Sequence, residues 1–354
     1  MDISLIDKNF KVETMLDAPD VRFYDVRCAP FSLHGVFYEN GLFRRLPEAV
    51  ARSVSPGVHH LHGHTAGGRV RFCTDSPYVA LHVKMPSIGK MSHFALTGSA
   101  GFDLYVGDRY TATAVPPFTI NGGFEHIFRF PTGERREITL HFPLYSGISA
   151  LYIGLSEAAT VEAPVPYAIP TPIVYYGSSI TQGGCASRPG MAYEAILSRR
   201  FSVDHINLGF SGNAKGEDEM AEYLASLSMT AFVYDYDHNA PTVEHLRATH
   251  EKLFLRVRKA HPHLPVLMLS RPKRFLTAGD EERRQVVFDT YQGALMRGDG
   301  NVYFLDGPAL MAMAGGEGTV DNCHPTDVGF ASMAAAIGGV LETILTKKDD
   351  RTLQ

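Results

Sequence analysis

The chain has 354 residues, a formal net charge of −5 at pH 7 and 45% hydrophobic residues. Its length exceeds the roughly 250–300 residues at which one hydrophobic core stops growing, so we expect two domains. An acidic balance without a basic block argues against nucleic acid as a partner. No uninterrupted apolar run approaches the roughly 18 residues needed to cross a bilayer, so we expect no membrane partner.

The compartment is predicted from the N-terminus and the cysteines. Residues 1–10 carry acids where a signal peptide has its basic region, which favours a cytoplasmic protein. The four cysteines are widely spaced and form no CxxC pair, a pattern typical of free thiols rather than of disulfides or a zinc site. We therefore expect neither a metal nor another cofactor.

Residues 1–160 are predicted to form a β-rich domain. Gly107-Asp108 separates two short runs and has the composition of a hairpin turn. The candidate strands alternate apolar and polar residues and are punctuated by turn residues; they are 69–72, 79–83, 93–96, 102–106, 126–130, 137–142 and 150–154. Regular short strands of this kind indicate a β-sandwich of jelly-roll type.

A run of histidines at residues 59–64 is the most unusual feature of this half. On a strand, His60, His62 and His64 would share one face, and that spacing can hold a metal ion. Such a period is more common for polar residues on the solvated face of a strand. We favour the second interpretation and expect no metal at this run.

A proline-rich linker is predicted over residues 161–172, where four prolines suit an extended connection and exclude a helix. Residues 173–350 then alternate strands with helices. The strand candidates are 173–176, 205–208, 231–234, 266–269 and 302–305, and the helix candidates are 193–201, 217–227, 243–260, 281–297 and 326–345. This order predicts an α/β domain with a doubly wound, flavodoxin-like sheet of five parallel strands.

The first strand of this domain leads directly into Gly177-Ser178-Ser179-Ile180-Thr181. Open α/β sheets bind their ligands at the carboxyl ends of the strands, so Ser179 stands where a reactive hydroxyl could act. The alternative is a turn serine in a βα loop without chemistry. Three further segments decide between these interpretations.

Polar segments recur at the same predicted edge, at residues 207–213, 235–241 and 321–327. A serine nucleophile needs a base, and His324 can serve, with Asp321 three residues earlier to orient the imidazole. The backbone N–H groups of Ser179 and Gly212 and the amide of Asn239 can supply an oxyanion hole. These parts predict acyl transfer to or from oxygen.

These four segments resemble the blocks of the SGNH (GDSL-type) hydrolases, in order and at similar spacing, over roughly residues 170–345. The resemblance implies that Ser179, Asp321 and His324 are catalytic and that Ser179, Gly212 and Asn239 form the oxyanion hole. Two departures stand out: Ser178 replaces the usual aspartate, and the third block reads Asp-His-Asn-Ala-Pro. The pentapeptide 101–105, Gly-Phe-Asp-Leu-Tyr, is similar to the GxDLY motif of a domain that precedes some esterases of this family.

Two further residues are candidates for substrate binding. Arg188 follows the first block and could contact polar groups of a substrate, or be an exposed loop arginine. Glu217 follows the second block and could do the same, or be an acid in the first turn of a helix, where the helix dipole favours it. Asp235, Asp237 and His238 surround Asn239 in the sequence, and we interpret them as scaffold.

The resemblance implies a serine esterase that removes small acyl groups, above all acetyl, from a carbohydrate or related small molecule through an acyl-enzyme. One alternative is an acyltransferase that passes the same acyl group to an alcohol. A second is a carbohydrate-binding protein with an inactive hydrolase fold, against which the complete set of site residues argues. The expected partner is a small-molecule or oligosaccharide ester, and the sequence is compatible with a homo-oligomer.

Overall fold

The computed structural model describes residues 14–352. Residues 1–10, on which the cytoplasmic prediction rests, lie outside them. The described residues form two compact units: the first comprises residues 14–47, His62–Ala168 and Ser187–Gly190, and the second comprises Glu48–Leu61, Ile169–Ala186 and residues 191–352. The predicted domains, 1–160 and 173–350, were contiguous. In the structure, Glu48–Leu61 from the N-terminal half belongs to the second unit, and Ser187–Gly190 from the C-terminal half belongs to the first.

The first unit is built from antiparallel strands, as the alternating sequence pattern predicts. Its elements are β1 (Val21–Asp25), β2 (Ser32–His34), β3 (Phe37–Glu39), β4 (Leu42–Arg44), β5 (Arg69–Thr74), β6 (Tyr78–Lys84), α3 (Leu96–Ser99), β7 (Phe102–Val106), β8 (Arg109–Ala114), β9 (Gly123–Arg129), β10 (Arg136–His141), β11 (Ala150–Ser156) and β12 (Val161–Glu162). The helices α1 (Glu48–Val54) and α2 (Pro56–Leu61) interrupt this series and belong to the second unit.

Two sheets form a β-sandwich in the first unit. One has the strand order β1-β11-β6-β9, and the other β12-β5-β10-β7-β8 with β2 paired to β5. Their alternating apolar residues, such as Leu81 and Ile153 in one sheet and Phe72 and Leu140 in the other, belong to one buried core. The predicted hairpin turn joins β7 to β8, with Gly107 at a φ of 56° that favours glycine.

Two predictions for this half were wrong. The segment 93–96 is not a strand, because Leu96 begins the short helix α3. The histidine run is not a strand either: His60 lies on α2 and His62 follows it in a turn. Consequently these histidines do not share one face of a sheet.

The second unit contains the predicted α/β sheet. Its remaining elements are β13 (Ile169–Gly177), α4 (Ser179–Gln182), a 3₁₀ turn (Pro189–Met191, mostly in the first unit), α5 (Tyr193–Phe201), β14 (Val203–Gly209), α6 (Asp218–Ser226), β15 (Ala231–Asp235), α7 (Val243–Ala260), β16 (Val266–Leu269), α8 (Ala278–Met296), β17 (Val302–Leu305), α9 (Gly307–Leu310) and α10 (Asp327–Thr352). All five strands are parallel, in the order β14-β13-β15-β16-β17.

This strand order is that of flavodoxin-like folds and confirms the predicted fold class. Its switch point lies at β13, which pairs with β14 on one side and β15 on the other. Strand β13 starts at Ile169, four residues earlier than predicted, because Pro170 and Pro172 are accommodated beside a register shift between Ile169 and Ile173. Helix α8 also starts early, since Thr277 and Asp280 form a capping box.

Among the described residues, one helix is long and apolar enough by composition to cross a membrane: α10, over Asp327–Thr346. More than half of that window, 56%, is buried inside the structure. Phe330, Met333, Ile337 and Leu341 are all buried, at the helical spacing that a core-facing stripe requires. Burial against the sheet domain accounts for the apolar composition of α10.

Candidate active site

Ser179 is the first residue of α4 and follows the end of β13. Ser178 is the N-cap of this helix, and its hydroxyl accepts a hydrogen bond from Ile180 N–H at 3.1 Å. Ser179 is only 6% exposed, so its side chain is largely buried. The sharp strand-to-helix turn therefore presents this side chain at the carboxyl edge of the sheet.

His324 lies within hydrogen-bond distance of Ser179, although 145 residues separate them in sequence. The distance from Ser179 Oγ to His324 Nε2 is 2.9 Å, and that from His324 Nδ1 to Asp321 Oδ2 is 2.7 Å. The other oxygen of Asp321 accepts the backbone N–H groups of His324 and Cys323, at 2.7 and 3.0 Å. The structure thus brings together the three residues predicted to be catalytic.

The ionisation of Asp321 assigns the tautomer of His324. Partial burial raises the pKa of Asp321, but the hydrogen bonds from His324 and Cys323 outweigh it and hold this pKa below its usual value. An ionised carboxylate can only accept, so His324 Nδ1 carries the proton and donates. His324 Nε2 is then left with its lone pair directed at the Ser179 hydroxyl, as a general base requires.

Phe210 ties together the three strand ends that carry the candidate oxyanion donors. Its N–H donates to the carbonyl of Gly177 at 2.8 Å, next to the nucleophile turn. Its carbonyl accepts the N–H of Asn213 at 2.9 Å and the side-chain amide of Asn239 at 3.1 Å. The first, second and third blocks are therefore held by hydrogen bonds to one residue.

Gly212 lies in the tight turn that follows Phe210. Its φ of 67° is in the left-handed region, which explains a glycine at this position. Within residues 14–352, its N–H has no protein acceptor, so it remains available to a ligand. Asn239 uses one amide hydrogen on Phe210 and keeps a second, because a primary amide carries two donors.

Cys185 is a further nucleophile-type side chain near these residues. Burial, together with the charge of Asp321 and the thiol of Cys323, raises the pKa of Cys185 to about 12. At neutral pH it therefore stays a thiol, which is a poor nucleophile compared with a thiolate. The hydroxyl of Ser179 remains the group that the base can activate.

Arg188 has hydrogen-bond partners inside the first unit. It belongs to the first unit, where it donates to Asp103 Oδ2 at 2.9 Å and to the Tyr105 hydroxyl at 2.6 Å. Asp103 is fully buried and also accepts the N–H of Gly190 at 2.8 Å. The aspartate and the tyrosine of the Gly-Phe-Asp-Leu-Tyr pentapeptide are thus engaged with the segment Ser187–Gly190, and Arg188 has a structural ion pair.

Glu217 also has partners inside the protein. Its Oε2 accepts the backbone N–H of Lys215 at 3.2 Å and the hydroxyl of Tyr176 at 3.3 Å. Burial raises the pKa of Glu217 against the effect of these hydrogen bonds. These contacts anchor the start of α6 to β13.

Two contributors to this region were not predicted from the sequence as part of the site. A Cβ atom on Gly57, in α2, would overlap the side chain of Asn213 in the second block, so the helix backbone packs directly on that block. Asp235, which was interpreted as scaffold, ends β15 and contacts the nucleophile turn. Local sequence carried no signal for the first contact, whereas a buried acid after a parallel strand could have indicated the second.

The sequence profile of the GDSL-like Lipase/Acylhydrolase family matches residues 170–342, and that of the GxDLY domain, the N-terminus of SGNH-hydrolase-type esterases, matches residues 21–161. The α/β unit is therefore a GDSL-like acylhydrolase domain. The two matched regions correspond to the α/β sheet and to the sandwich. No protein among those with curated descriptions matches the chain.

Solved structures resemble this chain over most of its length. A GDSL-like lipase candidate from Bacteroides ovatus ATCC 8483 is 28% identical, covers 92% of this chain and 98% of its own, and has a TM-score of 0.83. The salicylyl-acyltransferase SsfX3 of a tetracycline biosynthetic pathway is 21% identical, with coverages of 90% and 96% and a TM-score of 0.74. An acetyl xylan esterase, Est2A, from the rumen bacterium Butyrivibrio proteoclasticus is 11% identical, with coverages of 92% and 99% and a TM-score of 0.62.

The last two likenesses show a shared fold. The match of the α/β unit to this family supports an esterase-type hydrolase. The arrangement of Ser179, His324 and Asp321 can perform nucleophilic attack on an ester. Gly212 and Asn239 offer N–H donors in the segments that follow β14 and β15, the strands on either side of β13.

Proposed function

We propose that this protein is a serine esterase that releases small acyl groups, above all acetyl, from a carbohydrate or a related small molecule. The observation that carries the proposal is the hydrogen-bonded series Ser179–His324–Asp321, with distances of 2.9 and 2.7 Å. The fold shared with an acetyl xylan esterase supports the acyl and substrate classes. The sequence also offers no candidate for an apolar lid over a long acyl chain.

The reaction follows from the positions of the protons. His324 Nε2 removes the proton of the Ser179 hydroxyl as Oγ bonds to the ester carbonyl carbon, and the negative carbonyl oxygen is stabilised by the donors of Ser179, Gly212 and Asn239. The imidazolium then protonates the leaving alcohol, and the C–O bond breaks to give an acyl-serine. Water, deprotonated by the same nitrogen, releases the acid and restores Ser179.

The substrate class is tested with two panels. Acetate release is measured on acetylated oligosaccharides, and hydrolysis is measured on aryl esters of increasing chain length. We expect acetyl esters to be the best aryl substrates and at least one acetylated glycan to be turned over. A preference for long acyl chains, or transfer to an added alcohol in place of release to water, would contradict the proposal in favour of a lipase or an acyltransferase.

The nucleophile is tested separately with a fluorophosphonate, which modifies an activated serine whatever its natural ester. Peptide mapping by mass spectrometry should place the label on Ser179, and Ser179→Ala should abolish both labelling and turnover. Label on Ser178, the adjacent buried serine, would show that Ser178 and not Ser179 is the nucleophile. A folded protein with no label would favour an inactive hydrolase fold.

A further inference from the structure

We propose that Asp235 is a positioning residue that holds the turn carrying the nucleophile. The proposal rests on the function proposed above and adds a residue to it. Asp235 ends β15, where it pairs in register with Gly177, the last residue of β13. Ser178 and Ser179 follow Gly177 immediately, so the acid lies beside the turn that presents the reactive hydroxyl.

A single carboxylate oxygen of Asp235 spans this turn. Its Oδ1 accepts the backbone N–H of Ser178, at 3.2 Å, and the hydroxyl of Thr181. The backbone carbonyl of Asp235 accepts the same Ser178 N–H, also at 3.2 Å. One acceptor therefore binds the residue before Ser179 and a residue after it, which sets the orientation of the serine between them.

The approach of Asp235 depends on Gly177. A Cβ atom at Gly177 would overlap both the Asp235 carboxylate and the Thr181 hydroxyl. Glycine here is required by close approach and not by backbone conformation, since Gly177 has no positive φ. The first glycine of the Gly-Ser-Ser-Ile-Thr block thus makes room for the acid that supports the turn.

The other oxygen, Asp235 Oδ2, is buried and has no hydrogen-bond partner among residues 14–352. A fully buried carboxyl group with one unpartnered oxygen is costly to ionise, and burial raises the pKa of Asp235 to about 7 despite the opposing effects of His238 and Thr181. In the neutral form, Oδ1 remains an acceptor for both donors. The turn is then supported without a second negative charge close to the oxyanion.

Asparagine can imitate this role, because its amide oxygen accepts as Oδ1 does and carries no charge. We therefore expect Asp235→Asn to retain kcat near the wild-type value. Asp235→Ala leaves Ser178 N–H and the Thr181 hydroxyl without this acceptor, and misplacement of a reacting group by about 1 Å can cost about 10²-fold in rate. We expect such a loss in kcat with little change in KM.

Thr181 gives an independent test that leaves Asp235 in place. Thr181→Val removes one of the two donors at nearly constant volume, and we expect kcat to fall up to about tenfold for the lost hydrogen bond. Thr181→Ser restores the hydroxyl and should recover most of the rate. The matched control is Tyr236→Phe, which removes the neighbouring buried hydrogen bond from the Tyr236 hydroxyl to Thr249 without touching the turn.

The experiment measures kcat and KM on an aryl acetate and the rate of fluorophosphonate labelling, for the full chain and each variant. Wild-type-like kcat and labelling in both Asp235→Ala and Thr181→Val would overturn the proposal. Equal losses in Asp235→Asn and Asp235→Ala would also overturn it, as would a matching loss in Tyr236→Phe. If Asp235→Ala does not fold, Thr181→Val and its Ser rescue decide the question. Absence of labelling in the wild type would instead overturn the proposed esterase itself.

Discussion

The side-chain amide of Asn239 donates a hydrogen bond to the backbone carbonyl of Phe210, at 3.1 Å. Phe210 in turn donates its N–H to Gly177, at the end of the strand that leads to Ser179. Asn239 therefore holds the second block while its remaining amide hydrogen is free to face an oxyanion. This arrangement assigns the asparagine two tasks, and both depend on its side-chain amide.

Asn239→Ala should lower kcat by about 10²–10³-fold with a small change in KM, as expected for a lost oxyanion donor. Steady-state kinetics on an aryl acetate measures both constants. Asn239→Asp serves as a comparison, because it keeps the shape but replaces the donor by a charge that repels the oxyanion. A rise in KM at constant kcat would show that Asn239 contacts the ground-state substrate instead.

Asp321→Asn should reduce kcat by up to about 10⁴-fold, because an amide facing Nδ1 of His324 favours the wrong tautomer. The oxygen that binds the His324 and Cys323 N–H groups can be kept by asparagine, so the loop should stay intact. Kinetics and thermal unfolding of this variant check the two expectations. A variant with nearly full activity would mean that other groups orient His324.

Arg188→Ala should destabilise the protein and change KM little. The substitution leaves Asp103 fully buried without its cation, and breaking a buried ion pair from one side costs about 3–5 kcal/mol. Arg188→Lys, which keeps the charge but loses the stacking over Tyr110, should be intermediate. Unfolding in urea and KM on an acetylated oligosaccharide distinguish this role from the substrate contact considered from the sequence.

A fragment of residues 165–354 should be poorly soluble or less stable than the intact chain. It lacks α1 and α2, whose buried Ala51, Val58 and Leu61 belong to the same unit as the catalytic residues. Each large apolar side chain contributes about 1.5–3 kcal/mol by burial. The matched control joins residues 48–61 to this fragment through a flexible linker, and equal behaviour of both fragments would contradict the expectation.

Stability should depend on pH through Asp235. Burial raises the pKa of Asp235 from 3.8, the value expected in the unfolded chain, to about 7 in the folded protein. The stability that the neutral carboxyl group contributes is therefore fully present below the pKa of the unfolded chain and is lost as the pH rises to about 7. The difference between these two pKa values corresponds to roughly 4 kcal/mol in the free energy of unfolding. The free energy of unfolding of the wild type relative to Asp235→Asn should therefore fall between pH 4 and 7. A difference in the free energy of unfolding between wild type and Asp235→Asn that stays constant from pH 4 to 7 would contradict this expectation.

The sequence alone was sufficient for the parallel sheet and for the residues at its carboxyl edge. Strand and helix periods are local properties, and parallel strands must bring their carboxyl ends to one edge, so Ser179, Gly212, Asn239 and the Asp321–His324 loop could be placed together. The bounds of α5 and α7 were predicted to the residue for the same reason. The hairpin at Gly107 followed from its turn residues.

Only the tertiary structure decided what the remaining polar residues do. Arg188 and Glu217 stand beside catalytic blocks in sequence, yet each has a partner brought to it by folding: Asp103 is 85 residues from Arg188, and Tyr176 is 41 residues from Glu217. Gly57 lies 156 residues before Asn213, and Asp235 lies 57 residues after Ser178. Hydrogen bonding, burial and close approach depend on neighbours in space, and periodicity along the chain carries no information about them.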